Sequence, residues 1–336
     1  MARPSKDFLM AWLSLSGDNA EPGWRSIALP PSGPLEVRAG RRSPDNAEAV
    51  LVGFPTAKIP SADKLPEGQG FSVERADLEG AGRLWITLSR KSAGSPELFA
   101  AMSCDVIGAL DDAAAAGADE ARLARVCIGR VGAWQEFMRK GTQALSPEAE
   151  IGLIGELVLL RAIIRAGVAA AQAIESWVGP LDGIQDFEIG TGALEVKATL
   201  SSKGFPAKIG SLEQLDDSIR QPLFVAGVRF HQVESGQNLS AFVAEMRTLI
   251  QGNAEATRLL SERLLVAGYI DAHEDRYPRM FVLNDIRVVK VGDGFPRLTT
   301  GNVPSGIIRA MYEIDLDKAP GDNVDVDGAL KQLGVI

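Results

Sequence analysis

The chain has 336 residues, of which 46% are hydrophobic and 24% are charged, and its formal net charge is -9. This length is enough for roughly two domains of about 150 residues, each with a core of its own. The negative charge argues against a protein that coats nucleic acid by bulk electrostatics, but it is compatible with a local basic groove or a metal-dependent site.

The residue types available for catalysis are few. His231 and His273 are the two histidines, and their spacing resembles no ligand pattern, so histidine-based zinc chemistry and a serine triad are both poorly supplied. Two cysteines, Cys104 and Cys127, are too few for a disulfide framework, and we expect reduced thiols. No signal-peptide pattern and no apolar run of about 20 residues is present, which predicts a cytoplasmic protein without membrane contact. Any catalysis is expected to depend on carboxylates and lysine.

Residues 1–92 predict a small, mainly antiparallel β domain, because short β-rich runs alternate with Gly and Pro. These runs are 24–30, 35–39, 49–54, 70–76 and 83–89. A helical connector is predicted over 93–145. Its first helix starts at Ser95-Pro96-Glu97, with Pro at the first helical position and an acid in the first turn, and its second runs from Asp119 to Lys140.

Residues 146–336 predict a helix, a mixed sheet, further helices and a final sheet extension, which is an α/β (α+β) organisation. The first helix starts at Ser146-Pro147-Glu148. Short strands are predicted in GIQDFEIG and ALEVKATL, followed by a loop in SSKGFPAKIG and a strand in PLFVAGVRF. Helices at about 239–251 and 254–267 precede two strand-like runs, RMFVLNDIRVVKV and GIIRAMYEIDL.

Two charges stand out in the strand ALEVKATL. Side chains alternate between the faces of a strand, so Glu195 and Lys197 are presented together, with Leu194 and Val196 on the opposite face. The simplest interpretation is the wet face of a half-buried strand. Asp186 adds weight to a functional one, because a hairpin-like turn in GTG would bring its carboxylate within a few ångströms of Glu195. Carboxylates so close repel each other unless a divalent cation lies between them, although an aspartate that caps a loop is an alternative.

Glu156 is the only acid in the helical run IGLIGELVLLRAII, in which nearly every face is apolar. An ionised glutamate inside a buried helix is costly without a metal, an arginine or a hydrogen bond. The alternative is an exposed stripe shared with Gly152, with Arg161 as an ion-pair partner.

The order of helix Glu, strand Asp and strand Glu-x-Lys resembles the PD-(D/E)XK nuclease superfamily, in GELVLL, QDFEI and LEVKAT. Gln185 stands where the bare motif has proline. The resemblance implies a restriction-endonuclease-like core with a mixed central sheet flanked by helices. It implies Mg²⁺ or Mn²⁺ held by Asp186, Glu195 and the carbonyl of Val196, with Glu156 as a further ligand directly or through water. Lys197 would then position the attacking water.

GELVLL, WVGPLDGIQDF, LEVKAT and IGSLEQL together resemble a bacterial group named PD-(D/E)XK motif proteins, which are carried beside restriction and phage-defence genes. That resemblance implies metal-dependent DNA hydrolysis, and Gln214 in SLEQL matches a glutamine kept near the site. DNA, defence proteins including an ATPase, and a second copy of the chain are the expected partners. A non-catalytic nuclease-like scaffold of a defence complex is the alternative. DNA or RNA preference, target sequence, endo- or exonucleolytic action and the role of 1–92 stay open.

Overall fold

The structure, a computed structural model, describes residues 5–17, 23–56, 65–76, 78, 83–140, 143–321 and 323–336. The chain divides into two compact units, Met1–Thr142 (unit 1) and Gln143–Ile336 (unit 2). Among the described residues, no helix has the length and apolar character to cross a membrane.

Unit 1 is an antiparallel sheet with helices. Its elements are α1 (Ser5–Ser14), β1 (Gly23–Ser32), β2 (Leu35–Ser43), β3 (Ala47–Phe54), β4 (Phe71–Ala76), β5 (Leu84–Arg90), α2 (Pro96–Ala115) and α3 (Glu120–Lys140). The sheet order is β1-β2-β3-β5-β4, and every pairing is antiparallel, as the sequence predicts.

The two predicted connector helices, α2 and α3, both lie in unit 1. Ser95 caps α2 by accepting a hydrogen bond from the Leu98 backbone N–H, and Pro96 follows at the first helical position. One side of α2 is buried, including Phe99 and Ile107. Cys104 and Cys127 are free cysteines, the first half-buried and the second buried.

Unit 2 carries the predicted site residues. Its elements are α4 (Pro147–Arg165), α5 (Ala170–Ser176), β6 (Phe187–Ile189), β7 (Gly192–Thr199), β8 (Pro206–Ile209), β9 (Leu223–Gln237), α6 (Leu239–Leu249), α7 (Ala254–Val266), β10 (Phe281–Val291), β11 (Tyr312–Asp315), β12 (Asn323–Val324) and α8 (Val326–Gln332). Its five-stranded sheet has the order β12-β10-β9-β7-β6, and β8 pairs with β11 in a separate ribbon.

The five-stranded sheet is mixed, because β7 pairs with β9 in parallel while its other pairings are antiparallel. The two faces of β7 pack against different layers. Leu194 and Val196 join the core that includes α4, whereas Ala193 joins a second core with Phe205 and Ala207 beside β8. The mixed sheet flanked by helices, together with the antiparallel sheet of unit 1, confirms the predicted fold class.

Two local predictions in unit 2 are wrong. The stretch predicted as a loop, SSKGFPAKIG, contains β8, in which Ala207 and Ile209 are buried while their neighbours are exposed. The strand predicted in GIIRAMYEIDL is only β11, since four-residue β8 offers partners from Tyr312↔Ile209 to Asp315↔Pro206 and no further. Residues 306–311 are irregular instead.

Candidate active site

The β6–β7 hairpin positions one aspartate and one glutamate. Its turn is Gly190-Thr191, and Gly190 has φ of 61°, a left-handed conformation that suits glycine. A Cβ on Gly190 would also lie 2.0 Å from the Leu333 carbonyl oxygen. Because Phe187 pairs with Leu194, the preceding residue, Asp186, comes opposite Glu195 in the middle of β7, as the sequence predicts.

The Asp186 side chain, just before the first residue of β6, contacts the edge of β7. Its Oδ2 accepts a hydrogen bond of 2.7 Å from the Val196 backbone N–H. The N–H and C=O of one strand residue point to the same edge, so the Val196 carbonyl faces the Asp186 side as well. The Asp186 carbonyl accepts from the N–H groups of Val178 and Gly179, which anchors the preceding loop. The backbone of Asp186 therefore caps the preceding loop, as the alternative interpretation predicts, whereas its carboxylate binds the edge of β7.

Glu195, which is buried, forms an ion pair with half-buried Lys197. Lys197 Nζ donates to Glu195 Oε1 at 2.6 Å, and the two side chains are 15% and 2% exposed. The wet-face interpretation of this strand is therefore wrong. Within the described residues, Glu195 Oε2 is buried and has no hydrogen-bond partner. A buried carboxylate oxygen without a donor is costly, and a cation or a bound water is the kind of group that would relieve it.

Glu156 reaches the same place from α4, where it accepts a 2.6 Å hydrogen bond at Oε2 from the Trp177 indole Nε1–H. Arg161, the partner suggested by the exposed-stripe alternative, pairs with Glu245 instead. Trp177 is fully buried and stacks on Phe187 at 6.5 Å between ring centroids. Trp177 was not predicted from the sequence, because its hydrogen bond to Glu156 depends on how the loop 177–186 folds.

Gly179 lets two acids approach each other. A Cβ at this position would lie 2.7 Å from Asp186 Oδ1 and 3.2 Å from Glu156 Oε2. Those two carboxylate oxygens therefore border one small space that any side chain at position 179 would occupy. The absence of a side chain is what keeps this space open.

The acids are coupled electrostatically. Burial raises the pKa of Glu195 to about 8, the charge of Asp186 adds to the rise, and Lys197 opposes it. Burial and then the charge of Asp186 raise the pKa of Glu156 well above its ordinary value. The pKa of Asp186 is also raised by burial, against the Val196 hydrogen bond and Lys197. Carboxyls with pKa values raised in this way are typical of sites that bind cations or move protons.

Gln214 lies apart from the hydrogen bonds of these four residues. Its Oε1 accepts from the Gly210 backbone N–H at 2.8 Å, and this bond closes the 210–214 turn. Gln185, which replaces the motif proline, is buried and donates to the backbone carbonyls of Glu213 and Gln214. Because Gln185 directly precedes Asp186, these hydrogen bonds connect the 210–214 turn to the backbone next to Asp186.

The oxygen atoms of this cluster suit a hard divalent cation that takes two carboxylates and completes its coordination with water. In the part of the chain that the structure describes, no three His, Cys, Asp or Glu side chains form a group that could hold a metal ion. This geometry gives no support to Glu156 as a direct third ligand, and its role through a water stays a prediction. Mg²⁺ commonly binds through one or two carboxylates and keeps several waters. Asp186, Glu195 and the Val196 carbonyl fit that requirement, and the unpartnered Glu195 Oε2 supports it.

Comparison with known proteins gives one family. A family model described as "Putative PD-(D/E)XK family member, (DUF4420)" matches residues 8–317. No curated protein and no solved structure matches the chain. The matched range includes most of both units and all of the acids discussed above.

Proposed function

Since the chain belongs to the DUF4420 family, whose description names it a putative PD-(D/E)XK family member, we propose that it is a Mg²⁺- or Mn²⁺-dependent nuclease that hydrolyses DNA phosphodiesters. The observation that supports the proposal best is the ion pair between buried Glu195 and half-buried Lys197, beside the carboxylate of Asp186. Burying an acid and an amine costs desolvation free energy that their attraction only partly offsets, so such a pair is typical of a functional site more than of a stabilising contact.

The proposed cation site consists of carboxylate oxygens of Asp186 and Glu195 with the Val196 carbonyl. A bound Mg²⁺ or Mn²⁺ would lower the pKa of a coordinated water and offset the negative charge of the phosphate. Glu156, whose Oε2 is held by Trp177, acts through a water. Lys197 supplies a fixed positive charge, orients the water for in-line attack and stabilises the charge that develops on the phosphate.

The biological setting is part of the same proposal. We place the enzyme in the cytoplasm, in restriction or phage defence, with DNA as its substrate. Other defence proteins, including an ATPase, and a second copy of the chain are proposed partners. Gln214 acts by fixing the turn that Gln185 joins to Asp186, and not by contacting the reacting groups.

A nicking assay with supercoiled DNA tests this function. With Mg²⁺ or Mn²⁺ we expect the wild-type chain to nick DNA, and Asp186→Ala and Lys197→Ala to lose the activity while retaining their circular-dichroism spectra. Glu188→Ala is the matched control, because Glu188 lies two residues away on β6 and pairs with Arg220 on the surface. Activity that survives in both site variants would refute the proposal. A wild-type chain that binds no cation and cuts no DNA would favour the non-catalytic scaffold.

A further inference from the structure

Arg297–Met311, which we term the rim segment, has an unusual composition for this chain. It contains two arginines and no acid, although 44 acids in 336 residues would give about two in 15 residues. Arg297 pairs with Asp217 at 2.8 Å, so the charge that the segment offers to a partner is that of exposed Arg309. Its apolar side chains are strongly exposed, with Ile308 at 92%, Met311 at 62% and Ile307 at 43%. An exposed apolar cluster marks a contact surface, and the positive charge of Arg309 within it favours a partner that carries negative charge.

The rim segment is held in a defined shape. Asn302 accepts from the Thr299 backbone N–H at 2.7 Å and donates to the Arg297 carbonyl at 3.0 Å. The Ile307 N–H donates to the Pro304 carbonyl, and Gly306 between them has φ of 97°. A β-turn with glycine at its third position therefore presents the isoleucines. A preorganised loop loses little entropy when it binds.

The rim segment starts beside the acidic site. The Leu298 backbone N–H donates to the hydroxyl of Tyr312, the first residue of β11. Tyr312 packs against the core that contains Ala193, which lies on the same face of β7 as Glu195 and Lys197. The β8–β11 ribbon covers the Lys197 face of the sheet, because Phe205 packs over Gly227, the β9 partner of Lys197.

We propose that the rim segment is the DNA-contacting element of this site, with Ile307, Ile308 and Met311 pressed onto base or sugar surfaces of a duplex and Arg309 on its phosphates. The proposal deepens the nuclease function and depends on it. Apolar side chains gain nothing from phosphates, but they form wedges against base steps in proteins that bind the minor groove. Duplex DNA presents both apolar base surfaces and phosphates, next to the bond that the acids would hydrolyse.

The test measures binding separately from cleavage. A labelled duplex is titrated in EDTA and followed by fluorescence anisotropy at several salt concentrations. We expect the double variant Ile307→Ser/Ile308→Ser to bind roughly tenfold more weakly, from the loss of buried apolar area, with an unchanged salt dependence. Arg309→Gln should also weaken binding, and should reduce the slope of log K against log salt by about 0.9. Leu13→Ser, which removes another strongly exposed apolar side chain on α1, is the control and should bind as wild type does.

The outcomes separate the two proposals. If the wild type binds and nicks DNA while the double variant does both as well as the wild type, the rim-segment proposal fails and the nuclease stands. If the wild type binds DNA but cuts none, and the double variant loses binding, the rim segment is supported and hydrolysis is not. Equal losses in Leu13→Ser, a wild type that neither binds nor cuts, or a double variant that turns a dimer into a monomer with DNA binding unchanged, would each overturn the proposal.

Discussion

At the scale of single residues, the site combines groups that are unfavourable to bury alone. Glu195 is 1% exposed and has one oxygen paired with Lys197 and the other without a donor among the described residues. The charge of nearby Asp186 raises the pKa values of both Glu156 and Glu195 beyond the effect of burial. Such a cluster reduces stability in exchange for a place where positive charge binds strongly, which is common at functional sites.

The pKa of Glu195 predicts a pH dependence of stability. Its ordinary value is 4.5 and burial raises it to about 8, so between these values the folded protein binds more protons than the unfolded chain. The free energy of unfolding should therefore fall as pH rises through this window and level off above it. Glu195→Gln should remove up to about 5 kcal/mol of that fall. Urea unfolding at pH 5 and pH 8 measures it, with exposed Glu234→Gln as the control; equal pH dependence in wild type and Glu195→Gln would contradict the assignment.

Trp177 is predicted to hold Glu156 in position. Trp177→Phe keeps an aromatic ring against Phe187 but removes the donor to Glu156 Oε2, which should reduce unfolding free energy by about 1–3 kcal/mol. It should also reduce the rise in Tm produced by Mn²⁺. Trp134→Phe is the matched control, because its indole donates to Asp105 at 2.7 Å in unit 1. It should lose stability without changing the Mn²⁺ response, and identical responses in both variants would exclude a positioning role for Trp177.

At the scale of elements, α4 and the β6–β7 hairpin bring the acids together. Gly155 lies on the α4 face that meets β7, and a Cβ there would lie 3.0 Å from the Ala198 Cβ. The helix can therefore lie close to the strand, and the next residue, Glu156, reaches the β7 edge. Close packing of this kind tolerates added volume poorly.

Two glycines of α4 provide a paired test of this packing. Gly155→Val should lower the free energy of unfolding by about 1–3 kcal/mol, because the added methyl groups press on Ala198 and Val196. Gly152→Val should be neutral or slightly stabilising, since a Cβ on Gly152 meets nothing within 4 Å and Val forms helices better than Gly. Thermal unfolding of both variants measures the difference, and equal effects would show that Gly155 does not set the distance between α4 and β7.

Sequence patterns were sufficient where chain neighbours decide the structure. The Ser-Pro-Glu start of α4, the alternation along β7 and the Gly190 turn are local signals. The resemblance of GELVLL, QDFEI and LEVKAT then marks Glu156, Asp186, Glu195 and Lys197 as candidates, and their roles stay predictions. The burial of Glu195, the Trp177–Glu156 hydrogen bond and the position of Gln214 depend on layers contributed by distant segments. The length of β11 depended on β8, whose four residues limit the pairing.

At the scale of the whole molecule, all the site residues belong to unit 2. Unit 2 contains its own extensive core, which joins α4 to the mixed sheet and to α6, α7 and α8. A chain of residues 143–336 should therefore fold alone and keep its stabilisation by Mn²⁺. At 100 times the dissociation constant this stabilisation is about 2.7 kcal/mol, and it is measured as a rise in Tm. Unit 1 alone should show no such rise. A rise in unit 1, or none in a folded unit 2, would place the cation elsewhere.

The most direct measurement is a crystal of the full chain soaked in Mn²⁺ and examined by anomalous diffraction. We predict an anomalous peak within coordinating distance of one oxygen each from Asp186 and Glu195 and of the Val196 carbonyl, and its loss in Asp186→Ala. A folded chain with no peak at these oxygens at saturating Mn²⁺, with Lys197 still bonded to Glu195, would contradict the claim that this carboxylate cluster is a metal-dependent nuclease site.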